Sequence, residues 1–307
     1  MNTGTTTRSD FNSERDILIE CAYHGMCFAS TGECVRIPSQ PDAPIPEKAR
    51  LREYAVVEAD GLVWVWPGDR DPTGTAPPKI PELADPGWES FKWHFEVASN
   101  ATLMIENLLD TTHFYPLHSS TIGQPSDSTA QIAQLSIEEG FESGMPYVAT
   151  IRESEAYPQT DAFADILGHS VADLYAKAVM TGPAGVHATR IAWPSGRRGD
   201  DHDPRKFKTV HLFTPLSTSR HTYRFVFLVP KGQRSGSDPS VSSLERAIPL
   251  LEGILPEDIG ACEMQQEMFA LPEDRYRAVT LRADKALRKA LQALTAMQKE
   301  EESVSLL

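Results

Sequence analysis

The sequence predicts an α+β protein, and three observations carry that prediction. A central stretch of alternating, β-rich segments is followed by a helical C-terminal third, so strands and helices are segregated rather than interleaved. Ahead of both lies a short region of strands and turns. The elements follow in chain order. Ile17 to Cys21 and Leu62 to Trp66 (LVWVW) are β-rich runs set among the turn-formers Gly25, Gly32, Gly61 and Gly68. Pro38, Pro41, Pro44 and Pro46 mark an irregular loop, and the Pro/Gly-dense stretch from Pro67 to Gly87 reads as an interdomain linker. The expected domains are therefore 1–80 and 88–307. Phe91 to Ser99 (FKWHFEVAS) alternates like a strand, and Asn100 to Phe114 turns helical, with Leu103, Leu108 and Leu109 on its apolar side. YVATIRES, VHATRIAWP, TVHLFTP and HTYRFVFLV are the next strands. From Val241 the pattern is helical, with breaks expected near Pro256 and Pro272, and LRADKALRKALQALTAMQKEEE forms a final amphipathic helix whose KEEE end reads as solvated.

Composition excludes some functions. The 307 residues are 40% hydrophobic and 23% charged with a net charge of −14, ordinary for a globular chain and unsuited to binding phosphate backbones. Arg197 to Lys208 mixes basic and acidic residues and reads as a solvated loop. No apolar run reaches membrane-spanning length and the N-terminus has no h-region, so a cytoplasmic, soluble protein is expected.

Three of the four cysteines, Cys21, Cys27 and Cys34, lie within fourteen residues. Such crowding in a Cys-poor chain suggests metal chemistry more than disulfides. Cys21-x-x-His24-Gly, then an aromatic and Gly32-x-Cys34, present a thiolate and an imidazole from a Gly-bounded loop, a mixture suited to a metal that accepts both S and N. A Rieske cluster takes two Cys on one iron and two His on the other. From Ile17 to Pro67 the segment resembles the second half of the Rieske motif in Rieske-type non-haem iron oxygenases. Residues 1–20 contain no Cys and no His, so Cys21 and His24 supply half of a [2Fe–2S] ligand set. A misassigned start or a cut chain, a degenerate cluster-free protein, and a zinc knuckle of Cys21, His24, Cys27 and Cys34 are the competing explanations.

A more specific pattern is Asn107-x-x-Asp110-x-x-His113-x₄-His118. Two His and one carboxylate on one face of Fe(II) leave positions for O₂ and substrate. On a straight helix five residues rotate ~140°, so the two His converge only if the helix bends, for which Pro116 is a reason. Asn107, Asp110 and His113 step by three along one helical side, which would let Asp110 accept a hydrogen bond from the far nitrogen of a metal-bound His. The segment resembles the catalytic helix of the vanillate O-demethylase branch, including the S-S-x-I-G-Q that follows. The resemblance implies that His113 and His118 bind iron. It also implies that Asp110 bridges toward the cluster of a neighbouring subunit, hence a homotrimer. Pro256-Glu257-Asp258 through Gln266 resembles a later helix of the family that an E-D pair opens. By that resemblance Asp258 is the carboxylate ligand, with Glu257 and Glu263 in reserve. The H-x-x-T-P from His211 and the H-T-Y from His221 also match, and His211 reads as structural.

The resemblance implies an incomplete Rieske β-sandwich (1–80) followed by a helix-grip domain, an antiparallel sheet with a long helix (88–307). It implies the oxygenase component of a monooxygenase using a mononuclear Fe(II) and a [2Fe–2S] Rieske cluster. O-demethylation of a small methoxylated aromatic acid with O₂ is expected, with a flavin/iron–sulfur reductase as electron donor. Ring hydroxylation, N-demethylation, and an inactive paralogue that binds ligand or joins an oligomer are the alternatives. An N-terminal domain without its first strands is expected to leave an open edge and to be poorly stable.

Overall fold

The computed structural model describes residues 18–123, 135–198, 204–271 and 279–305. The chain forms two compact units, Met1–Val57 with Val63–Pro67, and Glu58–Leu62 with Gly68–Leu307.

In the first unit β1 (Ile19–Glu20), β2 (Cys27–Phe28) and β3 (Cys34–Arg36) pair in sequence order as an antiparallel sheet. The turn between β1 and β2 closes through Gly25 N–H donating to the Cys21 carbonyl at 2.9 Å, with Gly25 at φ 68°. Gly32 is needed for space as well as conformation: at φ 74°, a Cβ there would sit 2.4 Å from the Leu51 carbonyl oxygen. β4 (Ala55–Ala59) and β5 (Leu62–Trp66) form a hairpin whose Asp60 (φ 53°) and Gly61 (φ 72°) take the paired left-handed conformations of a tight two-residue turn. Val56, Val63 and Val65 on this hairpin are exposed.

The second unit is built on a seven-stranded antiparallel sheet. Its order is β6 (Trp88–Val97), β12 (Arg220–Pro230), β11 (Arg205–Ser217), β10 (Gly185–Pro194), β9 (Val171–Thr181), β8 (Met145–Pro158) and β7 (Leu135–Glu142). β7 to β12 is a meander, and β6 reaches back to close the far edge. Alternation sends Tyr223, Phe225 and Phe227 of β12 to one face, where they join Phe207 and Phe213 of β11 and Leu174 and Met180 of β9 in the main core. The helices α1 (Ala101–Leu109), α4 (Ser243–Phe269) and α5 (Lys285–Ser305) cover that face. α2 (Phe114–His118) and α3 (Asp161–Leu167) are short. On the opposite face Val210, Val226 and Leu228 pack with Ile80, Leu83 and Trp88.

Several local expectations need correction. The stretch from Gly68 to Gly87 belongs to the second unit rather than standing as free linker, with a 3₁₀ turn at Pro81–Leu83 beside the buried Ile80. The KEEE end of α5 is not simply solvated: Glu301 accepts from the backbone N–H of Asp69 and Arg70, and Glu300 pairs with Arg70 at 2.6 Å. Arg205–Lys208 opens β11 instead of a loop, and Lys208 pairs with Glu82 at 2.7 Å. Most consequential, Pro256 does not break the C-terminal helix. α4 runs 27 residues through Pro249 and Pro256, from a capping box in which Ser242 and Glu245 satisfy each other's backbone N–H groups. Leu251, Ile254, Leu255, Asp258 and Cys262 form a buried stripe at helical spacing. Burial of that stripe against α1 and the sheet holds the helix together where local propensity would end it.

Candidate metal centre

α1 starts at Asn100, whose side chain accepts from Thr102 N–H, and it buries Leu103, Met104, Ile105 and Leu109. It stops one residue before Asp110. The Asp110 carboxylate accepts from both Thr112 N–H (2.7 Å) and the Thr112 hydroxyl (2.9 Å), a local alternative to helical hydrogen bonding, and its backbone is extended at ψ 122°. The chain therefore bends at Asp110, well before Pro116. Pro116 sits inside the first turn of α2, where its missing N–H costs nothing. Asn107, Asp110 and His113 consequently do not share one helical side, because no helix runs from 110 to 113.

The bend brings the two histidines together. Their ring centroids lie 5.2 Å apart with planes at 72°. After α2 the His118 carbonyl accepts from the N–H groups of Thr121, Ile122 and Gly123, which pins the turn. Gly123 is required there for close approach, since a Cβ would meet the Phe114 carbonyl oxygen at 2.1 Å.

From the other side the buried stripe of α4 presents Asp258. It lies sixteenth in α4, so the expectation that an E-D pair opens the helix is wrong, and attraction of acids to a helix N-terminus does not explain its place. Asp258 Oδ1 lies 3.1 Å from His118 Nε2, 3.5 Å from His113 Nε2 and 3.1 Å from Asn107 Nδ2. One ligand atom from each of His113, His118 and Asp258 falls within 4.8 Å of the others. Two donors bonded to one ion at ~2.1 Å and ~90° are themselves about 3 Å apart, so the donor set fits a small divalent ion, and two imidazoles with one carboxylate suit ferrous iron.

Glu257 is placed differently from the ligand reserve that the sequence suggested. Its Oε2 lies 2.6 Å from His118 Nδ1, the nitrogen facing away from Asp258. In this chain the carboxylate that orients a triad histidine is therefore Glu257, while Asp110 turns to Thr112. Glu263, the other reserve, accepts from Ala98 N–H at 2.8 Å. Burial lowers the His113 pKa and so favours the neutral imidazole that a metal needs. At His118 burial also pushes downward, but the hydrogen bonds and charges of Asp258 and Glu257 outweigh it and the value ends above the ordinary one. His211 is a core residue: it bonds the Tyr223 hydroxyl (2.8 Å) and the Thr209 hydroxyl (2.9 Å), and burial pushes its pKa down to about 3.

Cys21 and His24 are exposed in the β1–β2 turn. Cys27 and Cys34 point inward; Cys27 Sγ accepts from Arg36 Nε at 3.2 Å and Cys34 Sγ lies 3.6 Å from the Arg36 carbonyl. Among the described residues these four do not gather as a metal site, which removes the zinc knuckle. Cys21 and His24 are one ligand of each kind where a Rieske centre takes two, so the residues of this sequence do not by themselves fit the whole cluster.

Residues 97–300 match the vanillate O-demethylase oxygenase C-terminal domain family, about two thirds of the chain. The chain belongs to that family. Residues 7–55 match the Rieske [2Fe–2S] domain. Among curated relatives, a toluene-4-sulfonate monooxygenase system iron–sulfur subunit of Comamonas testosteroni is 37% identical over 117 residues, covering 37% of this chain and 32% of that protein. A vanillate O-demethylase oxygenase subunit of Pseudomonas sp. (strain HR199 / DSM 7063) is 36% identical over 120 residues, 39% of this chain and 33% of the relative. The aligned segments thus span about a third of these relatives' length. The fold agrees with the crystal structure of dicamba monooxygenase bound to 3,6-dichlorosalicylic acid, with a TM-score of 0.74 at 21% identity over 93% of this chain and 81% of that one. This is the expected α+β class, a small Rieske-type unit followed by the antiparallel sheet with its helices.

Proposed function

We propose that this chain is the oxygenase component of a Rieske-type monooxygenase, which hydroxylates and so O-demethylates a small methoxylated aromatic acid. The convergence of His113, His118 and Asp258, from two separate parts of the sequence onto one point, carries the reading. Family membership and the Rieske match support it, and so do relatives whose names describe vanillate and dicamba O-demethylases. Ferrous iron, when bound, supplies the O₂ activation that none of the protein's own groups can perform.

The chain's residues have distinct tasks. His113 and His118 present their ring nitrogens from a bend that Asp110 sets and Gly123 locks. Asp258 adds the negative charge, and Asn107 holds it by hydrogen bonding to the same oxygen. Glu257 fixes the His118 ring and raises its basicity as a donor. Hydroxylation of an O-methyl carbon gives a hemiacetal that collapses with loss of formaldehyde. A flavin/iron–sulfur reductase as electron donor, a homotrimeric assembly and a cytoplasmic location belong to the same proposal. Among the described residues no helix is long and apolar enough to cross a membrane.

Anaerobic loading with Fe(II), followed by desalting and metal analysis, tests the site directly. About one iron per chain is expected for the native protein and almost none for the H113A/H118A/D258A variant. Equal iron in both, or none in either, would sink the assignment.

A further inference from the structure

On the face of the sheet turned away from the helices and the metal centre lies a cavity of about 530 Å³. Strand alternation fixes its place. Leu174 and Met180 of β9 and Val186 and Ala192 of β10 join the core under the helices. Tyr175, Lys177 and Val179 of β9, with His187 and Thr189 of β10, therefore project to the other side, where they line the cavity. All of its lining residues belong to the second unit. The volume is that of a site for a small organic molecule, about 300–1,000 Å³.

The walls are aromatic. Phe141 stands at the rim, 79% exposed, and Tyr147 and Tyr175 rise from β8 and β9. Tyr147 lies directly across from Gly140 of β7, where a Cβ would come within 3.0 Å of its ring, so glycine leaves the ring room beside that strand. The charges are already matched or negative. Lys177 donates to Glu138 at 2.9 Å, and Glu142 adds an acid at the rim. His187 is neutral, its pKa held at about 4 by burial and by Lys208. No positive charge of the lining is thus left over for an anion, and Glu142 opposes one. Hydrogen-bonding capacity is what remains unused. Among the described residues neither the ring nitrogens of His187 nor the hydroxyls of Tyr147, Tyr175 and Thr189 have a hydrogen-bond partner in the protein. A neutral imidazole offers one donor and one acceptor, and each hydroxyl offers both.

We propose that this cavity is a second ligand site, remote from the metal, that takes a small uncharged aromatic molecule carrying hydroxyl or carbonyl groups. The ring packs against Phe141, Tyr147 and Tyr175, and its polar substituents bond His187 and Thr189. The inference does not depend on the reading of the metal centre.

Calorimetric titration of the full chain with 2-methoxyphenol, uncharged at neutral pH, and with benzoate tests this. The phenol is expected to bind with a Kd of about 1 mM or tighter, and benzoate about tenfold more weakly or worse, because its charge meets Glu142 with Lys177 already paired. The H113A/H118A/D258A variant should bind the phenol as the native chain does, which places the ligand away from the metal. H187L should weaken the phenol about tenfold by removing a hydrogen-bonding partner, and T189W should abolish binding by filling the cavity; an unchanged melting temperature reports that each is folded. E142Q, altered at an exposed position, should narrow the gap between phenol and benzoate. No binding of the phenol to the native chain, its loss in the metal-site variant, or full affinity in both H187L and T189W would overturn the site. Benzoate binding as tightly as the phenol, or a gap unchanged in E142Q, would overturn the assigned ligand class.

Discussion

Replacing Glu257 by Gln tests the claim that its carboxylate tunes the metal centre from outside it. The Glu257–His118 contact is short, 2.6 Å, and the His118 side chain is 1% exposed while that of Glu257 is 28% exposed. Removing a carboxylate partner of a ligating histidine costs roughly 10–100-fold in metal affinity, or about 1.4–2.7 kcal/mol. Two features place E257Q near the bottom of that range. Solvent already screens part of the Glu257 charge, and the glutamine carbonyl can still accept from Nδ1–H, so charge is lost but the hydrogen bond is kept. E257A removes the acceptor as well and leaves a buried ring N–H without its partner, a further ~1–3 kcal/mol. The expected order of Fe(II) affinity is native, then E257Q about tenfold weaker, then E257A about 100-fold weaker or more. Anaerobic competition against a chromophoric chelator measures all three. Both variants within twofold of native would refute the orienting role, and loss of metal in E257Q as complete as in D258A would make Glu257 a ligand.

Other consequences are equally specific. G123A should destabilise the protein by about 1–3 kcal/mol, because its Cβ meets backbone rather than a yielding side chain, and should weaken iron binding by shifting α2; unchanged melting and iron content would count against the packing argument. S242A removes the cap of α4 and should cost about 0.5–2 kcal/mol in chemical denaturation; an unchanged midpoint would show that tertiary burial alone fixes that end. His187 is held neutral, its pKa pushed to about 4 by burial first and by Lys208 second. Between about pH 6.5 and 4 the unfolded chain binds the proton that the folded one refuses, so this group makes stability fall as pH falls through that window, by ~3 kcal/mol at most. H187Q should flatten the pH dependence of the urea midpoint there, and an identical slope in both proteins would refute the assignment.

Much of the architecture was legible because it depends on local periodicity. Period-two alternation marked the strands of the sheet, and Leu103, Leu108 and Leu109 marked α1. The N-x-x-D-x-x-H-x₄-H spacing by itself singles out the two histidines. The misreadings share one cause. Taken locally, Pro256 and Pro116 each predict a break, whereas burial on the sheet carries α4 through the first and the Asp110–Thr112 turn bends the chain before the second. A local signal for Asp258 did exist, an acid at a position of the 251–254–255–258–262 stripe where a core residue belongs.

By itself, then, the sequence determined the order of strands and helices, the family likeness and the candidate donor atoms, because each is written in near-neighbour spacing. Only the tertiary structure set Asp258 beside both histidines, Glu257 behind His118 and Glu263 against the Ala98 backbone. Those choices depend on contacts such as Asp258 with Asn107 and His118, more than 130 residues apart in the chain, and such contacts exist only once burial has fixed the packing of α1 against α4.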